Sequence, residues 1–188
     1  MENLIIGISG KSCAGKNVVA LYLEEKGYEV WDLDRKAEEI RQEKKEGLVS
    51  LFGTADRAVI RKIVFSEPEK LKRLEAIIYP ELEKRILEHE GPLVINGATI
   101  RRAGMDRLCC FLIYVEASYA VRLQRAMGRD KITEEEFSLR EASQADIEPS
   151  VNKYHCPLFH FDTTVNFDFS LLEKIILEGL DKYGSGRQ

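Results

Sequence analysis

Apolar and polar positions along the chain divide it into short apolar runs separated by stretches of helical period. Residues 4–8 form a nearly continuous apolar run ahead of a glycine, as expected for a strand buried on both faces of a parallel sheet. A helix should follow, its apolar side carried by Val18, Val19, Leu21, Tyr22 and Leu23, with Gly27 placed as a left-handed C-terminal stop. Residues 29–33 read as a second strand centred on Val30 and Trp31, so the opening is a βαβ unit. Residues 34–90 are charged, periodic and poor in strand formers, which predicts several helices. Within them, Ser66-Glu67-Pro68-Glu69 reads as a helix start with Ser66 as N-cap, and Pro80 is expected to kink or divide that helix. Residues 93–96 and 109–115 are a third and fourth strand, and residues 117–127 carry a helical pattern. Residues 128–150, charged and short of large apolar side chains, are expected to form a mobile, solvated excursion. Residues 162–167 alternate like a fifth strand, residues 171–180 close the chain as an amphipathic helix, and residues 184–188 are expected to fray.

Strands alternating with helices indicate a three-layer α/β domain with a five-stranded parallel sheet and helical inserts over its carboxyl edge. The inserts are expected at about residues 35–90 and 128–150. With 188 residues and 44% hydrophobic content, the chain has enough material for one such domain. Its formal charge of -4 is mixed along the length, leaving no basic stripe to neutralise a nucleic-acid backbone. Nor does any stretch approach the ~20 apolar residues that span a bilayer. Gly7, Ser9, Gly10 and Lys11 interrupt the first apolar run, so the pattern is not that of a secretory signal and a cytoplasmic location is expected. Cys13, Cys109, Cys110 and Cys156 have neither zinc-site spacing nor the density of a disulfide scaffold, and Cys109 and Cys110 read as buried hydrophobes.

Between the first strand and first helix lies Gly10-Lys11-Ser12-Cys13-Ala14-Gly15-Lys16, the G-x-x-x-x-G-K string of a phosphate-binding loop. Glycines let the backbone curl so that its N–H groups point at phosphate oxygens, and Lys16 adds a full charge at the transferring group. The implied ligand is a nucleoside triphosphate with Mg²⁺, its phosphates held by residues 9–17. Asn17 stands where a metal-ligating hydroxyl usually follows. Its amide oxygen can ligate magnesium, with carboxylates elsewhere, Ser12 or Ser9 as alternatives. Asp32 and Asp34 flank Leu33, and on an extended chain both would face the same way beside the loop, where an acceptor hydroxyl must sit. The simpler reading makes Asp34 a helix N-cap and Asp32 an edge residue.

Taken with Trp31-Asp32-Leu33-Asp34, Phe65-Ser66-Glu67-Pro68 and Ile77-Ile78-Tyr79-Pro80-Glu81, the loop resembles the dephospho-coenzyme A kinase family in order and spacing. The likeness resumes at Arg125, Arg129-Asp130 and Gln144, and again at residues 162–166. The resemblance makes the triphosphate ATP and implies phosphorylation of the ribose 3′-hydroxyl of dephospho-coenzyme A. It also implies roles: Asp34 for the hydroxyl, Lys16 and the loop for the phosphates, Arg125 and Arg129 closing from a lid, Asp32 and Asn17 for the metal, and Tyr79 for the substrate. Tyr79 replaces the family's histidine, Gly97-Ala98-Thr99-Ile100-Arg101 replaces its apolar acceptor stretch, and Ile147 stands at a lid arginine, with Arg140 the nearest substitute. Those differences keep open a nucleoside monophosphate such as CMP as acceptor, and a nucleotide-binding module with little catalysis.

The remaining candidates have plainer readings. Arg101, Arg102 and Arg107 either approach an anionic substrate or are solvated turn residues. His155, Cys156 and His160 lack the further ligands of a zinc set, and Glu134-Glu135-Glu136 reads as the first turns of a helix capped by Thr133.

Overall fold

A computed structural model describes residues 4–150 and 153–184, apart from the side chain of Phe65. The expected frayed tail, but for residue 184, lies outside the described residues. The chain forms two compact units, Asp32–His89 and the remainder, Met1–Trp31 with Glu90–Gln188.

The larger unit is built on a five-stranded sheet of order β2-β3-β1-β4-β5. Its strands are β1 (Ile5–Ser9), β2 (Glu29–Asp32), β3 (Leu93–Asn96), β4 (Phe111–Glu116) and β5 (Leu158–Asp162). Parallel pairing sets Ile5 opposite Leu93, Ile6 opposite Phe111, and Leu112 opposite Leu158. All five residues of β1 are buried, which is why its apolar run is continuous instead of alternating. Parallel neighbours need crossover helices. α1 (Lys16–Glu25) follows β1, α6 (Tyr119–Asp130) and α7 (Glu134–Ala142) lie in the crossover from β4 to β5, and α8 (Phe169–Tyr183) closes the chain after β5. One core cluster joins Ile6, Ile8, Val19, Leu23, Phe111, Phe161, Leu172 and Ile176. Gly179 lets α8 lie close to the sheet, since a Cβ there would stand 2.7 Å from the Phe111 ring.

The smaller unit is all helical, comprising α2 (Leu33–Glu43), α3 (Lys45–Phe52), α4 (Arg57–Ser66) and α5 (Pro68–Glu88). Leu48, Phe52 and Ile60 form its buried cluster, flanked by Ile63, Leu74 and Ile77.

Several expectations are corrected. The fifth strand is Leu158–Asp162, not residues 162–167, because pairing to β4 is exhausted at Glu116 opposite Asp162. Residues 128–150 are mostly exposed or part-exposed, as expected of a solvated segment, but they are not without regular structure. They carry α7, whose capping box joins Thr133 and Glu136, and whose Phe137 is fully buried against Cys13 and Ala126. Phe137, with Ile132 packed on the same cluster and Ile147 also buried, anchors a segment that is otherwise mostly polar. Ser66 ends α4 and donates its hydroxyl back to the carbonyls of Lys62 and Ile63, while Glu67 takes the N-cap position of α5 without a side-chain bond. Pro80 lies inside α5, which runs on to Glu88 undivided. The second strand ends at Asp32 and Leu33 opens α2, so alternation cannot place Asp32 and Asp34 on one face.

Candidate active site

The loop from β1 to α1 takes its shape from backbone angles few residues tolerate. Gly10 has φ 141° and lies against the sheet, where a Cβ would meet the Val115 carbonyl oxygen at 2.0 Å. Gly15, φ 109°, is the N-cap of α1, with the Phe167 ring 2.6 Å from where its Cβ would be. Between them Cys13 holds a left-handed φ of 61°, which is uncommon for a residue with a side chain. Its side chain belongs to the cluster with Ala126 and Phe137, and this burial holds the turn. Lys16 Nζ donates to the Gly10 carbonyl at 2.8 Å and the Lys11 carbonyl at 3.0 Å, so the ammonium is folded across the loop at the N-terminus of α1. Curled backbone, helix N-terminus and lysine together form an anion-binding cradle.

Side chains from later in the chain brace this cradle. Arg125 of α6 donates to the carbonyls of Cys13 (3.2 Å) and Ala14 (3.3 Å), to Thr163 Oγ1 (3.0 Å) and to the Thr163 carbonyl (2.8 Å). Thr163 is fully buried and donates its hydroxyl to the Ala14 carbonyl at 2.6 Å. Arg129 pairs with Asp130 at 2.6 Å and reaches Cys13 Sγ at 3.5 Å. Asp130 also accepts from Arg140 at 2.5 Å, and these two guanidinium bonds lower its pKa to about 2. Arg140 Nη1 donates to Ser12 Oγ at 3.3 Å.

Lys11 turns its ammonium to Glu141 and Glu148, each at 2.7 Å. Burial works to lower the Lys11 pKa, but the two carboxylates outweigh it and the net shift is upward. The Glu141 carboxyl is held below its usual range, first by its bonds to the buried Arg122. Ser12 N–H donates to Gln144 Oε1 at 2.8 Å. Tyr154 donates to the Ile147 carbonyl at 3.0 Å and shares a hydrogen bond with Ser9 Oγ at 3.3 Å. Asn17 Oδ1 accepts from Asn96 Nδ2 at 3.2 Å, and Asn96 Oδ1 is buried without a hydrogen-bond partner.

The larger unit thus brings together Ser9 through Asn17 with Arg125 and Arg129. Arg125 and Arg129 both sit on α6, the helix that leads into residues 131–150, as the sequence pattern predicts. Asp32, Asp34 and Tyr79 belong to the helical unit. There Asp32 accepts from Arg35 N–H at 3.0 Å as the N-cap of α2, and Asp34 lies in the first turn. Capping therefore falls to Asp32, not Asp34. Tyr79 donates to Glu75 at 3.1 Å. Arg102 pairs with Asp146, Arg101 donates to the Lys153 carbonyl and Arg107 to the Gly104 carbonyl. His155 Nδ1 lies 2.9 Å from the fully buried Asp106, and His160 lies beside Glu116. No group of three or more His, Cys, Asp or Glu could hold a metal ion among the described residues.

Sequence reasoning missed Thr163, Tyr154, Asn96 and the Arg122–Glu141–Lys11–Glu148 cluster. The partners of Thr163 and Asn96 lie 149 and 79 residues away, and no local pattern carries such separations.

A parallel sheet whose central strand ends in this loop, with Lys16 folded into it, defines a P-loop kinase of nucleoside-monophosphate-kinase type. The family model for dephospho-CoA kinase matches residues 4–154. The chain is 32% identical over 168 residues to a dephospho-CoA kinase of Fusobacterium nucleatum, covering 81% of this chain and 87% of that protein. It is 36% identical over 152 residues to one from Thermus thermophilus, covering 75% of each. The crystal structure of TT1252 from Thermus thermophilus superposes with a TM-score of 0.78 at 30% identity, over 97% of this chain and 98% of that one. The chain belongs to the dephospho-CoA kinase family, and it is a phosphotransferase.

Proposed function

We propose that this enzyme transfers the γ-phosphoryl group of ATP to the ribose 3′-hydroxyl of dephospho-coenzyme A, giving coenzyme A and ADP in the cytoplasm. The observation that carries the reading is the loop of residues 10–16, with Lys16 folded across its carbonyls, in a chain of this family. Loop amides and Lys16 bind the polyphosphate, and Lys16 then follows the charge that develops on the transferring group. Arg125, which buttresses the loop through Cys13 and Ala14, keeps those amides aimed. Asp34 accepts the proton of the attacking hydroxyl, a role that rests on its place in the family motif. Arg129 is the second lid-side cation, and Tyr79 a substrate contact.

The family implies Mg²⁺, and the donors suit it. Asn17 supplies a hard oxygen, and Asn96 Oδ1 beside it is buried without a hydrogen-bond partner. Asn17 would hold the ion, the family motif assigns Asp32 to the ion or its waters, and the ion would supply charge neutralisation on the phosphates. Few protein ligands are expected for an ion that keeps several waters.

A coupled ADP-release assay with Mg-ATP and a panel of acceptors tests the proposal. Turnover with dephospho-coenzyme A should exceed that with CMP or other nucleoside monophosphates by at least ~100-fold, on the scale of a site built for one substrate's hydrogen bonds. Absence of turnover with dephospho-coenzyme A would refute it. ATP binding without transfer to any acceptor would support a purely nucleotide-binding role instead.

A further inference from the structure

Lys11 occupies a variable position of the phosphate-loop string, and its charge does not face the cradle. Its ammonium is gripped at 2.7 Å by Glu141 at the end of α7 and at 2.7 Å by Glu148 just beyond the turn Ala145–Ile147. Glu141 is itself bound by both terminal nitrogens of Arg122, at 2.5 and 2.9 Å. Two cations and two anions cancel, so the cluster is a neutral clasp and not a phosphate site. The next loop residue is held from the same segment, Ser12 N–H by Gln144 and Ser12 Oγ by Arg140. The one after, Cys13, packs beneath Phe137 of α7. Three consecutive loop residues are therefore tied to residues 137–148, and Lys11 makes the charged part of the tie.

We propose that Lys11 is a positioning residue that latches α7 and its following turn onto the phosphate loop through Glu141 and Glu148, and that this latch governs how fast bound nucleotide leaves. The inference rests on the loop being the nucleotide site and is independent of the acceptor. Covering the loop requires the 137–148 segment to stay down, and opening it separates the ammonium from two carboxylates at once.

Stopped-flow release of a fluorescent ADP from the full chain tests this. Glu148→Gln and Lys11→Met should each release ADP about three- to tenfold faster than the parent, the scale expected for losing one or two partly exposed charge contacts through the off-rate. Lys11→Glu should be faster still. The reversed pair Lys11→Glu/Glu148→Lys restores the contact at position 148 but leaves Glu141 facing a like charge, so it should release ADP more slowly than Lys11→Glu alone without regaining the parent rate, a partial rescue that general loosening of the fold would not give. Unchanged release in both Glu148→Gln and Lys11→Met would overturn the proposal, as would a reversed pair no slower than Lys11→Glu alone. Glu148 is half-exposed, so that variant is expected to fold even if a loop substitution does not. Loss of dephospho-coenzyme A turnover with ADP release following this pattern would refute the acceptor assignment while leaving the latch intact.

Discussion

At the scale of single residues, the loop depends on a few positions where chemistry leaves little choice. Gly10→Ala puts a methyl carbon 2.0 Å from the Val115 carbonyl oxygen at φ 141°. The expected cost is at least ~2 kcal/mol in urea unfolding, together with loss of nucleotide binding. Thr163→Val is a gentler probe of the same region. It keeps the shape but removes the hydroxyl that bonds the Ala14 carbonyl and accepts from Arg125, and should cost about 1–3 kcal/mol while raising KM for ATP. Asp34→Asn separates binding from chemistry. If Asp34 serves the acceptor hydroxyl, kcat should fall by about 10²- to 10⁴-fold with ATP affinity unchanged by calorimetry, and an unaltered kcat would remove Asp34 from the mechanism.

At the scale of elements, α7 shows how a polar segment earns its place. Its nine residues include Glu134, Glu135 and Glu136 in the first turn, where negative charge suits the helix N-terminus, and Thr133 closes a full capping box. Thr133→Ala should therefore cost about 1 kcal/mol locally, seen as roughly fivefold faster amide exchange confined to α7. Acid should loosen the tie between α6, which ends at Asp130, and Arg140 of α7. The Asp130 carboxyl is held at about 2, below its unfolded value near 3.9, by Arg129 and Arg140. Its contribution is thus present above pH ~4 and fades as pH falls toward 2. Because Asp130 is partly exposed and its partner Arg129 largely so, screening should hold the effect to no more than about 1 kcal/mol between pH 5 and 2.5. Asp130→Asn should flatten that acid limb of the stability curve, and an unchanged limb would show that the pair contributes nothing.

At the scale of the whole molecule, the chain divides into a sheet-based unit, which carries the phosphate loop, and a helical unit, Asp32–His89. The tests of acceptor choice and ADP release belong here. The sheet unit was largely legible from the sequence, because β1, β3 and β4 are buried on both faces and buried parallel strands write themselves as continuous apolar runs. The phosphate loop was legible because its glycines and lysine act through backbone geometry encoded within seven residues. The fifth strand misled, since β5 is only partly buried and its alternation does not mark where pairing to β4 stops. So the sequence by itself determined the α/β class, where along the chain its first four strands fall, the nucleotide loop and the family, while the order of the strands in the sheet came from the structure. Only the tertiary structure decided that Thr163 and Arg125 brace the loop, that α7 packs through Phe137, and that Lys11 faces Glu141 and Glu148 instead of the cradle. Those arrangements join residues more than a hundred positions apart, and side-chain pairing over such distances is fixed by packing, which local periodicity does not record.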